Sequence, residues 1–411
     1  MAVATAKVRQ GQDCKVFWGS LTKNMRVVLL LLSIAAAHST SFSQWKLATR
    51  YTSTSSKPIA DWKTLPHLPT SGVIHDDGSA HLLSSTTLQY CPNIHDLTVC
   101  NTTDIPANTQ RKVVALGTGK VALITPHTLD IFSHVQHISA TDISTGSTIH
   151  EVHMVVPYLI VASSGGLTTI DFQATPPKVI YVWSDPCAAK NMQQIPADVH
   201  TVTCAYATSS TTCMAVTNYM DQPGMCIAWF DLQNPTAIRK EWSIGFLDAV
   251  PISSGSSDSA GVNQFWIATN RSLNVYHQIV GQDPSVGLFT RYAGGSNNLP
   301  ASNLTTMATS AVANGMIVAG ADAGLVVRTE DGKFDLLTGP RYLATASSTS
   351  SRVTFVAISP QLVNTFVVVL AGTKEGVSVL TLDLVFDFSK KALIFQEKIP
   401  RHIRPKTGIV S

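Results

Sequence analysis

The sequence predicts an all-β chain, a β-propeller of seven four-stranded blades. Three observations carry this. A hairpin pattern recurs seven times across residues 71–400. Its spacing averages about 48 residues, within the range of propeller blades. The composition is 45% hydrophobic and only 13% charged, and Ser and Thr make up about a fifth of it. That mixture suits strands and their turns better than helices. It excludes a coiled coil, a disordered chain and a multi-pass membrane protein.

Four copies of the pattern are clear: Leu159–Asp171, Phe265–His277, Met316–Arg328 and Val368–Leu380. Each has an apolar run, a turn of small or polar residues, and a second apolar run. Three copies are weaker: His81–Tyr90, Val121–Phe132 and Cys213–Asp231. The residues that open the second run are Leu88, Leu129, Leu167, Ile227, Leu273, Leu325 and Val377, and the last two intervals are both 52 residues. A four-stranded blade needs one more strand on each side of the hairpin. Leu304–Ala308 and Lys333–Leu337 supply them in the sixth unit, and Val199–Ala205 and Ala237–Trp242 in the fourth. Val353–Ile358 precedes the seventh hairpin and Ala392–Ile399 follows it. Spaced hairpins argue against tandem sandwiches, and the period is too long for a β-helix. Six or eight blades remain open.

The stretches Phe265-Trp-Ile-Ala-Thr-Asn-Arg-Ser-Leu-Asn-Val-Tyr276 and Asn298-Leu-Pro-Ala-Ser-Asn-Leu-Thr-Thr-Met307 resemble the two-component-regulator propeller repeat. Ala268 and Ser272 stand where that repeat favours glycine. The resemblance implies the fold and, with it, extracellular binding.

Residues 1–43 read as a secretory signal with a long basic lead. They hold five basic residues and one acid, then an apolar run from Val27 to Ala37. That run is too short to span a bilayer, and no stable membrane span is expected. Cleavage fits after Ser43 or after Ala37, and Met25 could be the working start. Residues 44–70 read as a lead segment, 71–400 as the propeller and 401–411 as a basic tail. Ring closure has two readings. Residues 392–399 form the outer strand of the last blade, or Trp45–Tyr51 pairs there as a shared closing strand. Without the signal, 24 basic residues face 25 acidic ones. No nucleic-acid partner follows from that balance.

Removing the signal discards Cys14 and leaves six cysteines, Cys91, Cys100, Cys187, Cys204, Cys213 and Cys226. An even number suits an oxidising compartment. Proximity favours the pairs Cys91–Cys100, Cys213–Cys226 and Cys187–Cys204; buried free thiols are the alternative. Sequons begin at Asn101, Asn270 and Asn303, as many as fifteen asparagines give by chance. In a secreted chain they are candidate glycan positions.

No catalytic set, resident cofactor or metal site emerges. His134 and His137, and His150 and His153, lie three apart, so on a strand each pair faces opposite sides. Ser163-Ser164-Gly165-Gly166 has the chemistry of a turn, and Asp76-Asp77-Gly78 and Glu330-Asp331-Gly332 read as acidic hairpin tips. The basic residues between Lys390 and Lys406 read as a solvated tail, with anionic-glycan binding as the sharper alternative. The expected function is that of a secreted, non-enzymatic propeller. It binds an extracellular protein or glycan through one loop face. The alternative is a propeller hydrolase or lyase with its active site at the channel mouth.

Overall fold

The computed structural model describes residues 40–386, except 43–45, 54–60, 108–109, 184–197, 208–209, 219–224, 233, 243–248, 260–261, 280–286, 296–297, 311–315, 329–331, 347–350 and 364–365. The chain divides into two compact units. Residues 42–384 hold the propeller; residues 1–41 and 385–411 form the other, largely outside the described residues. The signal-peptide and C-terminal-tail expectations therefore fall outside them.

Strands β1 (Thr40–Phe42), β2 (Lys46–Ser53) and β3 (Lys63–Leu65) lead the chain. Blade 1 holds β4 (Ser71–Ile74), β5 (Ala80–Leu83), β6 (Thr87–Cys91) and β7 (Asn101–Asp104). Blade 2 holds β8 (Lys112–Gly117), β9 (Lys120–Ile124), β10 (Thr128–Ser133) and β11 (Gln136–Asp142). Blade 3 holds β12 (Ile149–Val155), β13 (Tyr158–Ser163), β14 (Gly166–Asp171) and β15 (Lys178–Trp183). Blade 4 holds β16 (Val199–Ala207), β17 (Ser210–Asn218), β18 (Met225–Asp231) and β19 (Asn234–Trp242). Blade 5 holds β20 (Pro251–Ser259), β21 (Val262–Thr269), β22 (Ser272–Ile279) and β23 (Gly287–Ala293). Blade 6 holds β24 (Leu304–Ser310), β25 (Met316–Ala321), β26 (Gly324–Arg328) and β27 (Phe334–Leu337). Blade 7 takes β28 (Val353–Ile358), β29 (Phe366–Thr373) and β30 (Gly376–Phe386) from this end of the chain, and β2 from the other. The chain is a seven-bladed β-propeller, antiparallel within each blade.

The second of the two closures is the one present. β2 pairs antiparallel with β30, Tyr51 opposite Val377, and β3 adds parallel to β2. The edge of β30 thus belongs to β2, not to residues 392–399, which lie outside the described residues. Gly376 is required here, because a Cβ on it would collide with the Tyr51 carbonyl. Tyr51 is fully buried; its hydroxyl accepts the Leu97 N–H at 3.0 Å and donates to the His95 carbonyl at 3.3 Å. One tyrosine from the start of the chain therefore ties the last blade to the first.

The Ser and Thr content has a local cause. Among the described residues, five hairpins end their second strand on a hydroxyl that accepts an N–H from the turn beyond. These are Ser84, Thr125, Ser163, Thr269 and Thr373. Each closes its turn without water, which burial demands. Apolar side chains fill the seams between blades. The seam of blades 3 and 4 buries Ile160, Leu167, Val202 and Phe230. The seam of blades 7 and 1 buries Tyr51, Leu82, Phe355 and Val377.

Cys91–Cys100 and Cys204–Cys213 are disulfides. Cys226 is disulfide-bonded as well, and Cys187 lies outside the described residues. The expected pairs Cys213–Cys226 and Cys187–Cys204 are therefore corrected. The reason is register. Cys204 and Cys213 are directly opposed across β16 and β17, whereas Cys226 faces Thr217 on β17.

Candidate functional site

The first strands of the blades surround the propeller axis and enclose a cavity of about 430 Å3. Val114, Val152, Met154, Met307 and Val356 give it apolar walls. Glu151 crosses it. Its Oε1 accepts the Ser254 N–H at 2.7 Å and the Ser253 hydroxyl at 3.2 Å. Its Oε2 accepts the Ser254 hydroxyl at 2.6 Å and the Val202 N–H at 3.1 Å. One carboxylate thus joins β12, β16 and β20, the inner strands of blades 3, 4 and 5.

Burial pushes the Glu151 carboxyl up to about 7, against the pull of those four donors. By exposed area the residue is only half-buried, but what it shows faces the cavity rather than bulk water. The Ser253 hydroxyl has one proton and two acceptors, Glu151 and the Met307 carbonyl at 3.1 Å. A protonated Glu151 can donate to Ser253, which frees that proton for Met307 and extends the chain of bonds to blade 6. Burial holds Lys112 below the usual lysine range, and the charge of Glu151 opposes that. His153 is pushed down to about 4 by burial, against its bond to the Cys204 backbone. Burial therefore disfavours charge of either sign there, and the Glu151 carboxyl spends its acceptors on the strands around it.

A second group stands where the inner strands of blades 3 and 4 begin. His150 Nε2 lies 2.6 Å from Asp198 Oδ1, and His200 Nε2 lies 3.9 Å from Asp198 Oδ2. Among the described residues, these three are the group whose donor atoms converge as metal ligands do. The backbone explains the convergence. β12 slips register between Ile149 and Glu151, and β16 between Val199 and Thr201. His150 and His200 are thus the bulged residues of neighbouring strands, at the same position of two consecutive blades. Bulges re-aim side chains in this way.

The structure does not bring His150 to His153, nor does it form a ligand pair from His134 and His137. His137 pairs instead with Asp130 at 3.2 Å. His134 takes part in an interior relay. His75 and His81 share a 2.6 Å hydrogen bond, and His81 Nε2 donates to the His134 carbonyl at 2.7 Å. Burial pushes His81 down to about 4. Ser163 and Ser164 are consumed by turn hydrogen bonds. Asp77 accepts from the Ser79 N–H and hydroxyl, which caps its own turn. Glu330 and Asp331 lie outside the described residues, as do the basic residues from Lys390 onward. Asn101, Asn270 and Asn303 are all exposed. Sequence reasoning missed Glu151, Asp198 and His200 as site residues. The available signal was the separation of His150 and His200, 50 residues, which is one blade.

No family model matches this sequence, and no curated protein is similar to it. Solved structures are similar in fold. The BBS1N domain, solved in complex with ARL6DN, is 10% identical with a TM-score of 0.51, over 84% of this chain and 96% of that one. The extracellular domain of the hybrid two-component system BT3049 from B. thetaiotaomicron is 12% identical with a TM-score of 0.50. It matches over 82% of this chain, which spans 41% of BT3049. Hsv2p of Kluyveromyces lactis is 11% identical with a TM-score of 0.45, over 76% of this chain and 97% of that one. What the first two share with this chain is a fold, the β-propeller; an extracellular domain of a two-component regulator is thus among its structural neighbours.

Proposed function

We propose that the chain is a secreted, non-enzymatic propeller that binds an extracellular partner. The observation that carries this is the outer strand of blade 3. Ile180, Tyr181 and Val182 are consecutive and 38%, 38% and 55% exposed. Tyr181 stacks on Trp183, with ring centroids 5.6 Å apart. Among the described residues β15 ends its sheet, which leaves its outer edge beside that apolar run. Edges of this kind pair or aggregate unless a partner covers them. The patch favours a protein over a glycan. The disulfides support an oxidising compartment.

Two measurements test the reading. Expressed in a secretory host, the protein should reach the medium with its terminus at Gln44 or His38; retention in the membrane fraction would refute secretion. A photo-crosslinker at Tyr181 should capture an extracellular protein that, once purified, binds the wild type. Val182→Lys should weaken that binding at least tenfold without lowering the melting temperature. Equal binding by the variant would remove the patch from the account. The alternative, a hydrolase or lyase at the channel mouth, has one observation in its favour: the His150, Asp198 and His200 group.

A further inference from the structure

We propose that His150, Asp198 and His200 form a binding site for a divalent transition cation of the Zn2+ type, seated between blades 3 and 4. This does not depend on the partner-binding reading above. Two imidazoles and one carboxylate are the donor set of Zn2+ and its neighbours, whereas Ca2+ and Mg2+ take oxygen ligands.

The geometry needs little change. All three donor atoms lie within 4.8 Å of one another. An ion with bonds of about 2.0–2.2 Å in tetrahedral array sets its ligand atoms roughly 3.3 Å apart. His150 Nε2 stands 2.6 Å from one oxygen of Asp198 and His200 Nε2 3.9 Å from the other, on either side of that value. The imidazoles already stand together, ring centroids 5.3 Å apart. Each is fixed by a bulge in a paired strand, not by a loop.

Exposure grades across the group. The His200 side chain is 8% exposed, His150 26% and Asp198 39%. One ligand is thus anchored in the wall, and the carboxylate faces the side from which an ion arrives. Three protein ligands leave a fourth position to water or to a donor from a bound partner. A purely mechanical role accounts for less. Thr305 and Thr354, at the equivalent bulges of blades 6 and 7, each make one hydroxyl bond, to the Val353 and Gly372 carbonyls. Two imidazoles on one carboxylate exceed what such a latch requires.

The test uses the full secreted protein, stripped with chelator. Calorimetry with Zn2+ should show one equivalent bound near neutral pH. Co2+ should give a visible ligand-field band, and Ca2+ and Mg2+ should not compete. Loss of even an outer-shell partner costs about 10–100-fold in affinity, so His150→Ala, Asp198→Asn and His200→Gln should each weaken Zn2+ at least that much. They should also abolish the Co2+ band. His137→Ala, which removes an exposed His–Asp pair of another blade, should change neither. No stoichiometric Zn2+ on the wild type overturns the site, and so does equal weakening by His137→Ala. If the buried His200 variant fails to fold, the exposed Asp198→Asn decides: unchanged affinity overturns the proposal.

Discussion

The seam between blades 3 and 4 and the seam between blades 6 and 7 use one backbone device for different chemistry. In β12, β16, β24 and β28 alike, the second residue bulges out of register with the next strand. Those residues are His150, His200, Thr305 and Thr354. At the later seam Thr305 donates its hydroxyl to the Val353 carbonyl, at the start of the next blade. At the earlier seam His150 meets Asp198, just before the next blade's first strand, and His200 stands beside them. The bulge is thus architecture, repeated whatever occupies it. The occupant is free to carry chemistry, and only at blades 3 and 4 does it. The same holds deeper in the strands. Four residues beyond each bulge, blade 7 pairs Ile358 with Val369, whereas blade 4 pairs Cys204 with Cys213.

The largest expected effect comes from that last difference. Cys204→Ala with Cys213→Ala removes a crosslink between residues 9 apart. In the chain-entropy account a loop of about ten residues stabilises by roughly 2.7 kcal/mol. Denaturant titration should show a loss near 3 kcal/mol. Blade 7 holds the equivalent slot by apolar packing alone, so the double variant should still fold. A loss under 1 kcal/mol would mean that the apolar packing of blade 4 already suffices.

Next is Glu151, whose blade 6 counterpart, one residue past the bulge, is Thr306. Its folded pKa, about 7, lies above the ordinary 4.5. The fold therefore binds its proton more tightly than the unfolded chain does. Its contribution is intact below about 4.5 and declines as pH rises to about 7, by on the order of 3 kcal/mol. His81 and His153, pushed from 6.5 to about 4, act in reverse: stability is lost as pH falls through that window. Glu151→Gln removes the first arm only. At pH 5 the wild-type carboxyl is protonated, and its hydroxyl oxygen can still accept from one of the two backbone N–H groups, which an amide nitrogen cannot do, so the variant should be about 1–3 kcal/mol less stable there. By pH 8 the deficit should shrink or reverse. A deficit constant between pH 5 and pH 8 would show that the carboxyl titrates normally.

Much of this architecture is visible in the residues. Leu88, Leu129, Leu167, Leu273, Leu325 and Val377 are each the second residue of the third strand in their blades, so alignment on them recovers the true register. They are legible because a hairpin is local. Closure and site are not. Tyr51 meets Val377 across most of the chain, and no local pattern announces which distant edge a strand will take. The site fails to show for a sharper reason. Alternation places His150 and Glu151 by strict period, and a one-residue bulge breaks that period where the chemistry sits. The disulfides divide in the same way: Cys91–Cys100 forms as expected, whereas the expected partner of Cys213, Cys226, gives way to Cys204, which is nearer in sequence and directly opposed in register.

A smaller effect is expected at the blade 6 and 7 seam. Thr305→Val keeps the shape and deletes the hydroxyl bond to Val353. A single neutral bond contributes about 1 kcal/mol, and Val353 is fully buried, so its carbonyl loses that donor away from bulk water. Thermal unfolding should register a modest destabilisation of that order. None would mean that the bulge is held by strand pairing alone.

The smallest change in stability should come from moving one seam's solution into the other. His150→Thr installs at blade 3 what blade 6 already uses. The bulge geometry is common to both strands, so the new hydroxyl stands where Thr305 stands, within reach of the Val199 carbonyl that corresponds to Val353. The substitution loses the bond to Asp198, which is 39% exposed and so makes a weak pair. It gains a hydroxyl bond of similar size, and a β-branched residue suits a strand. Without metal, stability should stay within about 0.5 kcal/mol of wild type, the spread of an ordinary surface change. With Zn2+ the two proteins should part, because only the wild type gains stability from the ion, by mass action. If His150→Thr is markedly destabilised without metal, the imidazole supports the seam in a way that threonine cannot. The two seams would then differ in mechanics as well as in chemistry. If both proteins respond alike to Zn2+, the earlier seam is only a latch, and its histidines do no more than the threonines of blades 6 and 7.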